Sequence, residues 1–390
     1  MKNNNIINIF DNEKYSNHLV AIPIRIKQAR IYRGMTMEEL SKKIDVSKQA
    51  ISKMELGTLV VSPQTLIKIS EAVEFPIQFF TKERIVNQNS EDSVIFFRTK
   101  RIPAKISNMW NEKIEVINDE IIGYIKSYFK LPKVNLPDIS DISDDGNYTQ
   151  EDIEKIALRL REHWNMGNSP INNLTHIAQK NGIIVIRMSL GELKTDAFSK
   201  WKNKIPYVIL NSDKNNVFRS RFDLAHEIGH LILHMAIEDD MYASDEIENE
   251  AHLFASALLL PEETFSEDIY SITLDSLLPL KKKWKVSVNA ITRRCLTLNH
   301  ITNDRYTSLQ KQISMRRWRT EEPFDDIFPV ETPKLLKECI EVLIDNHIID
   351  RNTLLNNIPL STNEICNVFN LPLNYFEDNI INKYSLIKRQ

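Results

Sequence analysis

Apolar residues recur at helical spacing along most of the chain, and runs typical of strands are confined to its middle. The helical pattern predicts short helices over 22–82, an amphipathic helix over about 106–129 and further helices from Thr149 onward. Two apolar runs, IIVIRM at 183–188 and IPYVIL at 205–210, predict strands. The pattern therefore predicts a mainly α, multidomain protein with a small sheet.

One stretch rich in Pro, Asp and Ser, at 131–148, interrupts the helical pattern and reads as the main linker. We predict five regions: a flexible N-terminus at 1–21, an all-α domain at 22–82, a connector helix and linker at 83–148, an α+β domain at 149–300 and a helical C-terminal region at 301–390.

Composition narrows the class of protein. A chain of 390 residues is too long for one core, and its net charge of −3 excludes a protein that is basic throughout. None of its 8 glycines follows Gly229, which favours helices in the C-terminal part. Three widely separated cysteines indicate reduced core thiols. There is no long apolar run and no signal-like N-terminus, so we expect a cytoplasmic protein.

Charge is segregated in the second half. Residues 235–268 hold eleven acids and no Lys or Arg, whereas 281–319 hold eleven Lys and Arg and one acid, Asp304. Two solvated faces that attract each other would explain this distribution. A basic surface that binds a partner, including nucleic acid, would explain it equally well.

The sequence FDLAHEIGHLILH contains His226-Glu227-x-x-His230. Residues i and i+4 share one face of a helix, so two imidazoles can take two corners of a tetrahedral zinc site. Glu227 can then act as general base on a water at the metal without being a ligand. The strand just upstream would suit an endopeptidase, which can hold an extended substrate by strand addition.

Zinc needs a third protein ligand and one open position. The next helix, DEIENEAHLFASALLLP, offers Glu246, Glu248 and Glu250. Glu250 borders the apolar stripe and is expected to face inward as the third ligand, whereas Glu248 is expected to point elsewhere. His234 lies two turns from His226 and is assigned a supporting or packing role.

These motifs resemble the ImmA/IrrE metallopeptidase family, through R-F-D-L-A-H-E-I-G-H at 221–230 and E-A-x-x-F-A-x-x-L-L-x-P at 250–261. The resemblance covers about 150–300. It implies a gluzincin-like fold, one Zn²⁺ held by His226, His230 and Glu250, and Glu227 as catalytic base. It also implies a repressor or antitoxin as the protein substrate. His252 departs from the family, which often has Asn there.

Residues 22–57 predict a helix-turn-helix. Thr36 and Glu39 form a capping box for a second helix, and Ser47 caps a third after a short turn. The region is similar to XRE-type phage-repressor domains. We expect it to bind double-stranded DNA through residues at the start of the third helix: Ser47, Lys48, Gln49, Ser52 and Lys53. Many such proteins bind DNA as dimers, and a homodimer is one expectation here. Met37 stands where these repressors commonly have a phosphate-contacting Gln.

A weaker helix-turn-helix pattern follows at 274–300. It could bind substrate or DNA, or only cover the core, and we favour a structural and partner-binding role. Three functions compete for the whole chain. The preferred one is a DNA-binding regulatory zinc endopeptidase that cleaves a repressor or antitoxin. The others are a transcriptional regulator with a structural or sensory metal site, and the toxin of a toxin–antitoxin pair. The oxyanion-stabilising residue is not identified by the sequence, and Tyr242 and His234 are two candidates for it.

Overall fold

The structure is a computed structural model that describes residues 20–83, 95–97, 103–143, 147–191, 195–235 and 245–376. Its first helices are α1 (Pro23–Tyr32), α2 (Met37–Ile44), α3 (Lys48–Glu55), α4 (Pro63–Val73), α5 (Ile77–Thr81), α6 (Ala104–Val116), α7 (Gly123–Lys126), α8 (Gln150–His163) and α9 (Leu174–Lys180). The later ones are α10 (Val217–Leu233), α11 (Asp245–Leu259), α12 (Glu262–Glu267), α13 (Leu274–Trp284), α14 (Val288–Thr297), α15 (Asn303–Met315), α16 (Leu335–Asp345), α17 (Arg351–Asn357) and α18 (Thr362–Phe369).

Four strands form one sheet in the order β1 (Ile95–Phe97), β3 (Ala197–Lys202), β4 (Ile205–Asn211), β2 (Ile184–Met188). β3 and β4 form an antiparallel hairpin, β4 and β2 are parallel, and β1 adds to β3 in antiparallel orientation. The hairpin turn is Asn203-Lys204, with φ of 49° and 61°, as a two-residue turn between twisted strands requires. β4 is therefore a central strand, and not the edge strand that a substrate-holding role would need.

Two hydrophobic cores lie on opposite faces of this sheet. The first combines residues of α1 to α7, one sheet face that includes Phe198 and Tyr207, and the helices α16 to α18. The second combines α8 to α15 with the other face, which includes Val208 and Leu210. The N-terminal helices and the C-terminal helices thus share a core, although they are far apart in sequence.

The connector helix fixes the N-terminal helices to the sheet. α6 continues through a π-helical segment, Ile117–Ile122, into α7. Within that segment Glu120, 2% exposed, accepts hydrogen bonds from Arg25 and Lys82, each at 2.6 Å. On its other side the helix packs Trp110 against Phe198, with ring centroids 5.1 Å apart.

Most predicted elements are present, and the mainly helical fold with a small sheet is confirmed. The capping box predicted at Thr36 forms, and Thr149, where the sequence predicted a helix to begin, forms a second one with Asp152. β1 and β3 were not predicted. Most of the N-terminal stretch 1–21 lies outside the described residues. Among the described residues, no helix has the length and apolar character needed to cross a membrane.

Candidate metal centre and DNA-reading helix

The metal motif lies on α10, the longest helix among the described residues. Asn216 starts the helix: its side chain accepts a hydrogen bond from the backbone N–H of Arg219 at 3.0 Å. The buried face of α10 carries His226 and Glu227, both 0% exposed, and His230, 1% exposed. Polar groups as deeply buried as these need defined partners, and the partners come from α11 and β3.

Three donor atoms converge between α10 and α11. His226 Nε2 and His230 Nε2 are 3.0 Å apart, and each lies 3.4 Å from an oxygen of Glu248. Ligand atoms in a tetrahedral zinc site are separated by about 3.3 Å, given Zn–N distances near 2.0–2.1 Å. These three residues are therefore spaced to hold a metal ion.

The third donor differs from the sequence expectation. Glu250 does face inward, at 8% exposure, but it lies outside the donor cluster. Its Oε2 accepts a hydrogen bond from His234 Nε2 at 2.9 Å. Glu248, which was expected to point away, instead reaches both motif histidines from the edge of α11. The apolar stripe of α11 correctly indicated that Glu250 is buried. Burial did not identify the residue nearest the two histidines, because Glu248 reaches them from the edge of the helix.

His234 links the cluster to Glu250. Its Nδ1 lies 2.9 Å from His230 Nδ1, and burial lowers the pKa of His234, so the ring is neutral. With Nε2–H donating to the Glu250 carboxylate, His234 Nδ1 is an acceptor and takes the Nδ1–H of His230. This orientation leaves His230 Nε2 facing the donor cluster, where a metal ligand must offer a lone pair.

The donor set itself fits a divalent cation. Burial raises the pKa of Glu248, but hydrogen bonds with His226 and His230, and the positive charge of these rings in their protonated form, outweigh it, and the net pKa is lowered. Glu248 is therefore a carboxylate at neutral pH. Two imidazole nitrogens and a carboxylate are ligands that zinc prefers. His252 contacts the His226 ring, with centroids 4.4 Å apart, but is not in the donor cluster.

Glu227 lies next to the cluster and outside it. Its Oε2 accepts a hydrogen bond from Ser199 Oγ on β3 at 2.7 Å. This contact holds the carboxylate toward the strand. Sequence reasoning did not single out Ser199. The turn Asn203-Lys204 that precedes β4 lacks the glycine typical of two-residue hairpin turns, so little in the sequence indicated β3.

Close packing sets the distance between α10 and α11. A Cβ on Gly229 would lie 3.0 Å from Phe254 Cδ1 on α11, tighter than ordinary van der Waals contact. A glycine within His-Glu-x-x-His thus allows α11 to approach and bring Glu248 within reach. Tyr242, the other candidate for oxyanion stabilisation, lies outside the described residues.

The N-terminal helices form the predicted helix-turn-helix. Ser47 caps α3 through a hydrogen bond from the Ala50 N–H to its Oγ, at 3.1 Å. Lys48, Gln49 and Lys53 are exposed along one side of α3, and Ser52 is half-buried beside them. From behind, Arg30 binds both carboxylate oxygens of Glu55, at 2.5 and 2.8 Å, and fixes the orientation of the helix.

Some of the cationic side chains counted in the sequence form ion pairs with acidic residues of the same chain. Arg25 and Arg30 are buried in ion pairs, and Arg33 pairs with Glu364. In the basic stretch 281–319, the buried Lys281 pairs with Glu322 and Asp325, and other cations of the stretch also pair with acids: Lys283 with Asp268, Arg294 with Glu154, and Arg316 with Asp275. These pairs favour a structural role for much of that stretch.

Two family models match the regions of the chain that contain these candidate sites. Residues 178–296 match the family model described as IrrE N-terminal-like domain, Peptidase_M78. Residues 26–80 match the helix-turn-helix family model. No curated protein matches the chain. The two matched domains together fit a DNA-binding regulatory protein with a metallopeptidase-type domain.

Proposed function

We propose that this protein is a DNA-binding regulatory zinc endopeptidase that cleaves a repressor- or antitoxin-type partner. The observation that carries the proposal is the arrangement of four side chains on α10 and α11. His226, His230 and Glu248 converge as donors, and Glu227 is excluded from that set although it is the neighbour of His226. A purely structural zinc site is usually closed by four protein ligands, which disfavours the regulator with a structural metal.

In this proposal His226, His230 and Glu248 hold the zinc ion. A bound zinc ion supplies Lewis acidity toward a carbonyl oxygen and lowers the pKa of a water in the site. Glu227 acts as general base and takes the proton of the attacking water. The same carboxyl group then returns the proton to the leaving amine. Ser199 orients Glu227 through its 2.7 Å hydrogen bond.

The partner follows from the fusion of the two domains. The helix-turn-helix domain would bring the peptidase domain to an operator, where DNA-bound repressors are concentrated. Cleavage of such a repressor would relieve repression of the genes it controls. A helix-turn-helix protein is also the substrate type that the family resemblance implies.

The test uses the Glu227→Gln variant of the full chain. Zinc-loaded wild type and variant are incubated with a co-expressed helix-turn-helix repressor and with casein as an unfolded probe. We expect cleavage by the wild type to fall by about 10²- to 10⁴-fold in the variant, while zinc content measured by atomic absorption stays at one per chain. Equal cleavage by both proteins would refute the catalytic role of Glu227, and loss of zinc from the variant would make it a ligand.

A further inference from the structure

The strand beside the proposed catalytic base is β3. Ser199, in the middle of β3, donates its hydroxyl hydrogen bond to Glu227. Two residues on, Trp201 Nε1 donates to the backbone carbonyl of Leu231 on α10 at 3.3 Å. β3 therefore runs along the metal helix, and its outer edge is the sheet edge nearest the catalytic carboxylate.

That outer edge is already paired. Ile95, Phe96 and Phe97 of β1 lie opposite Lys200, Ser199 and Phe198 of β3, in antiparallel register. Phe96 is thus the register partner of the residue that holds Glu227. The other edge of β3 pairs with β4 along 197–202 and 205–210. Within the described parts of the chain, β3 has a strand on both sides.

The strand on the outer edge comes from outside the peptidase-type domain. The family match begins at residue 178, whereas β1 belongs to the segment between α5 of the helix-turn-helix domain and α6. α6 is itself bound on both sides: Gln28 of α1 donates to Glu112 at 2.7 Å, and Lys200 of β3 donates to Asn111 at 2.5 Å. The segment that carries β1 therefore starts and ends on elements fixed near the sheet.

An extended polypeptide binds a sheet edge by adding a strand, and this requires free backbone groups on that edge. β1 uses the groups at 198–200 that such a polypeptide would need. A covalently tethered strand competes at an effective concentration in the millimolar range for short connections, well above that of a separate protein. β1 has only three residues, at the short end of strand lengths, so few backbone hydrogen bonds have to break when it leaves the sheet.

We propose that β1 is a built-in competitor of the polypeptide substrate, which closes the β3 edge until it is released. The inference rests on the proposed peptidase function, whose site it regulates. It agrees with the deep burial of His226, Glu227 and His230, because a site that acts on another protein has to open. The occupant of the opened edge is an extended segment of the partner protein.

A reversible cross-link tests the competitor. Residues directly opposite in an antiparallel pair have Cα atoms about 4.5–5.5 Å apart, within the range of a disulfide. Ile95 and Lys200 form such a pair, so the Ile95→Cys/Lys200→Cys variant of the full chain can be locked by oxidation and released by a reductant. The native cysteines Cys295, Cys339 and Cys366 are buried. The single variant Lys200→Cys is the matched control.

A second variant releases the strand. Successive backbone N–H groups of a strand point to opposite sides, so Ile95→Pro/Phe96→Pro removes a donor facing β3 whichever of the two faces it. The double variant Ile95→Ala/Phe96→Ala changes the same side chains and keeps both N–H groups. Comparison of the two separates loss of pairing from loss of side chains.

The first readout is binding, measured in a Glu227→Gln background by fluorescence anisotropy. The probe is a labelled synthetic peptide with the sequence of residues 91–101. We expect at least tenfold tighter binding by the proline variant than by wild type or the alanine variant, and no binding by the oxidised lock until it is reduced. Equal binding by the locked, wild-type and proline forms would overturn the proposal.

The second readout is cleavage of casein by the same variants with Glu227 intact. We expect no cleavage by the oxidised lock, recovery on reduction and faster cleavage by the proline variant. Cleavage by the oxidised lock at the reduced rate would overturn the role of β1 and leave the peptidase intact. If no form cleaves while binding follows the expected order, the peptidase assignment fails and the closed edge is upheld.

Discussion

Glu250 accepts a hydrogen bond from His234 at 2.9 Å, on the side of that ring away from His230. Glu248 and Glu250, two of the four acids of α11, thus have different surroundings. Glu248 faces the donor atoms of the metal site, and Glu250 holds the imidazole that orients one of them. Substitution of these two residues should therefore affect metal binding to different extents.

In the proposed site, Glu248→Ala would remove a ligand and Glu250→Ala only a support. We expect Glu250→Ala to weaken zinc binding by about 10- to 100-fold, as is usual for groups that orient a ligand, and Glu248→Ala to weaken it more. Competition with a chromophoric chelator measures both, with the exposed Glu246→Ala as control. The reverse order of effects would restore Glu250 as the ligand.

The exposed start of α3 is expected to read DNA. Lys48→Ala/Gln49→Ala should weaken specific binding to a duplex selected by the full chain, with about 1–3 kcal/mol lost for each bidentate base contact. Fluorescence anisotropy at two salt concentrations separates base reading from phosphate binding. Lys337→Ala, on the C-terminal helix α16, serves as the control. Unchanged affinity in the double variant would place the DNA contacts elsewhere.

The buried pair between Arg25 and Glu120 is expected to fasten the helix-turn-helix domain to the connector. Glu120→Ala leaves the Arg25 guanidinium, 1% exposed, without its carboxylate, at a cost of about 3–5 kcal/mol in the free energy of unfolding. Lys82, whose side chain is 44% exposed, binds the other oxygen of Glu120, so Lys82→Ala should cost much less. Urea unfolding followed by circular dichroism compares them, and equal losses would contradict this account.

The burial of Lys113 predicts that the stability of the protein depends on pH. Its Nζ lies 4.2 Å from the Trp110 ring centroid, and burial, with a smaller contribution from Arg33, lowers its pKa to about 8. The unfolded chain, with a pKa near 10.4, then binds more protons than the folded protein between these values, so stability rises with pH from about 8 to 10.

Lys113→Met removes the cost of burying the charge and keeps the apolar stem. We expect the variant to exceed wild type by about 1–2 kcal/mol in the free energy of unfolding at pH 7, where Lys113 is charged. The difference should shrink by pH 9.5. Lys155→Met, at an exposed position, should show no such trend. A gain that is independent of pH would indicate packing alone.

Local signals in the sequence were sufficient for most helices. Thr36, Ser47 and Thr149 cap helices at the predicted positions, because capping depends on residues within one turn. The same holds for His226 and His230, whose spacing on one helix fixes their separation.

Contacts between elements that are far apart in the chain could not be predicted from the sequence. β3, with the sequence AFSKWK, contains Lys200 and Lys202, and lysine is rarely buried in proteins. Both are only 3% exposed, since Asn111 and Glu115 of α6 bind their ammonium groups. The choice between Glu248 and Glu250 also depended on another helix, because His234 takes one acid and leaves the other for the metal site.

The sheet separates the two hydrophobic cores and contributes one face to each of them. Phe198 and Tyr207 belong to the core of the N- and C-terminal helices, and Val208 and Leu210 belong to the core of the metal helices. Cutting the chain within 131–148 would remove α1 to α7 and, with them, part of the apolar cover of Phe198 and Tyr207. The helices before and after this stretch therefore depend on each other to keep their apolar residues away from water.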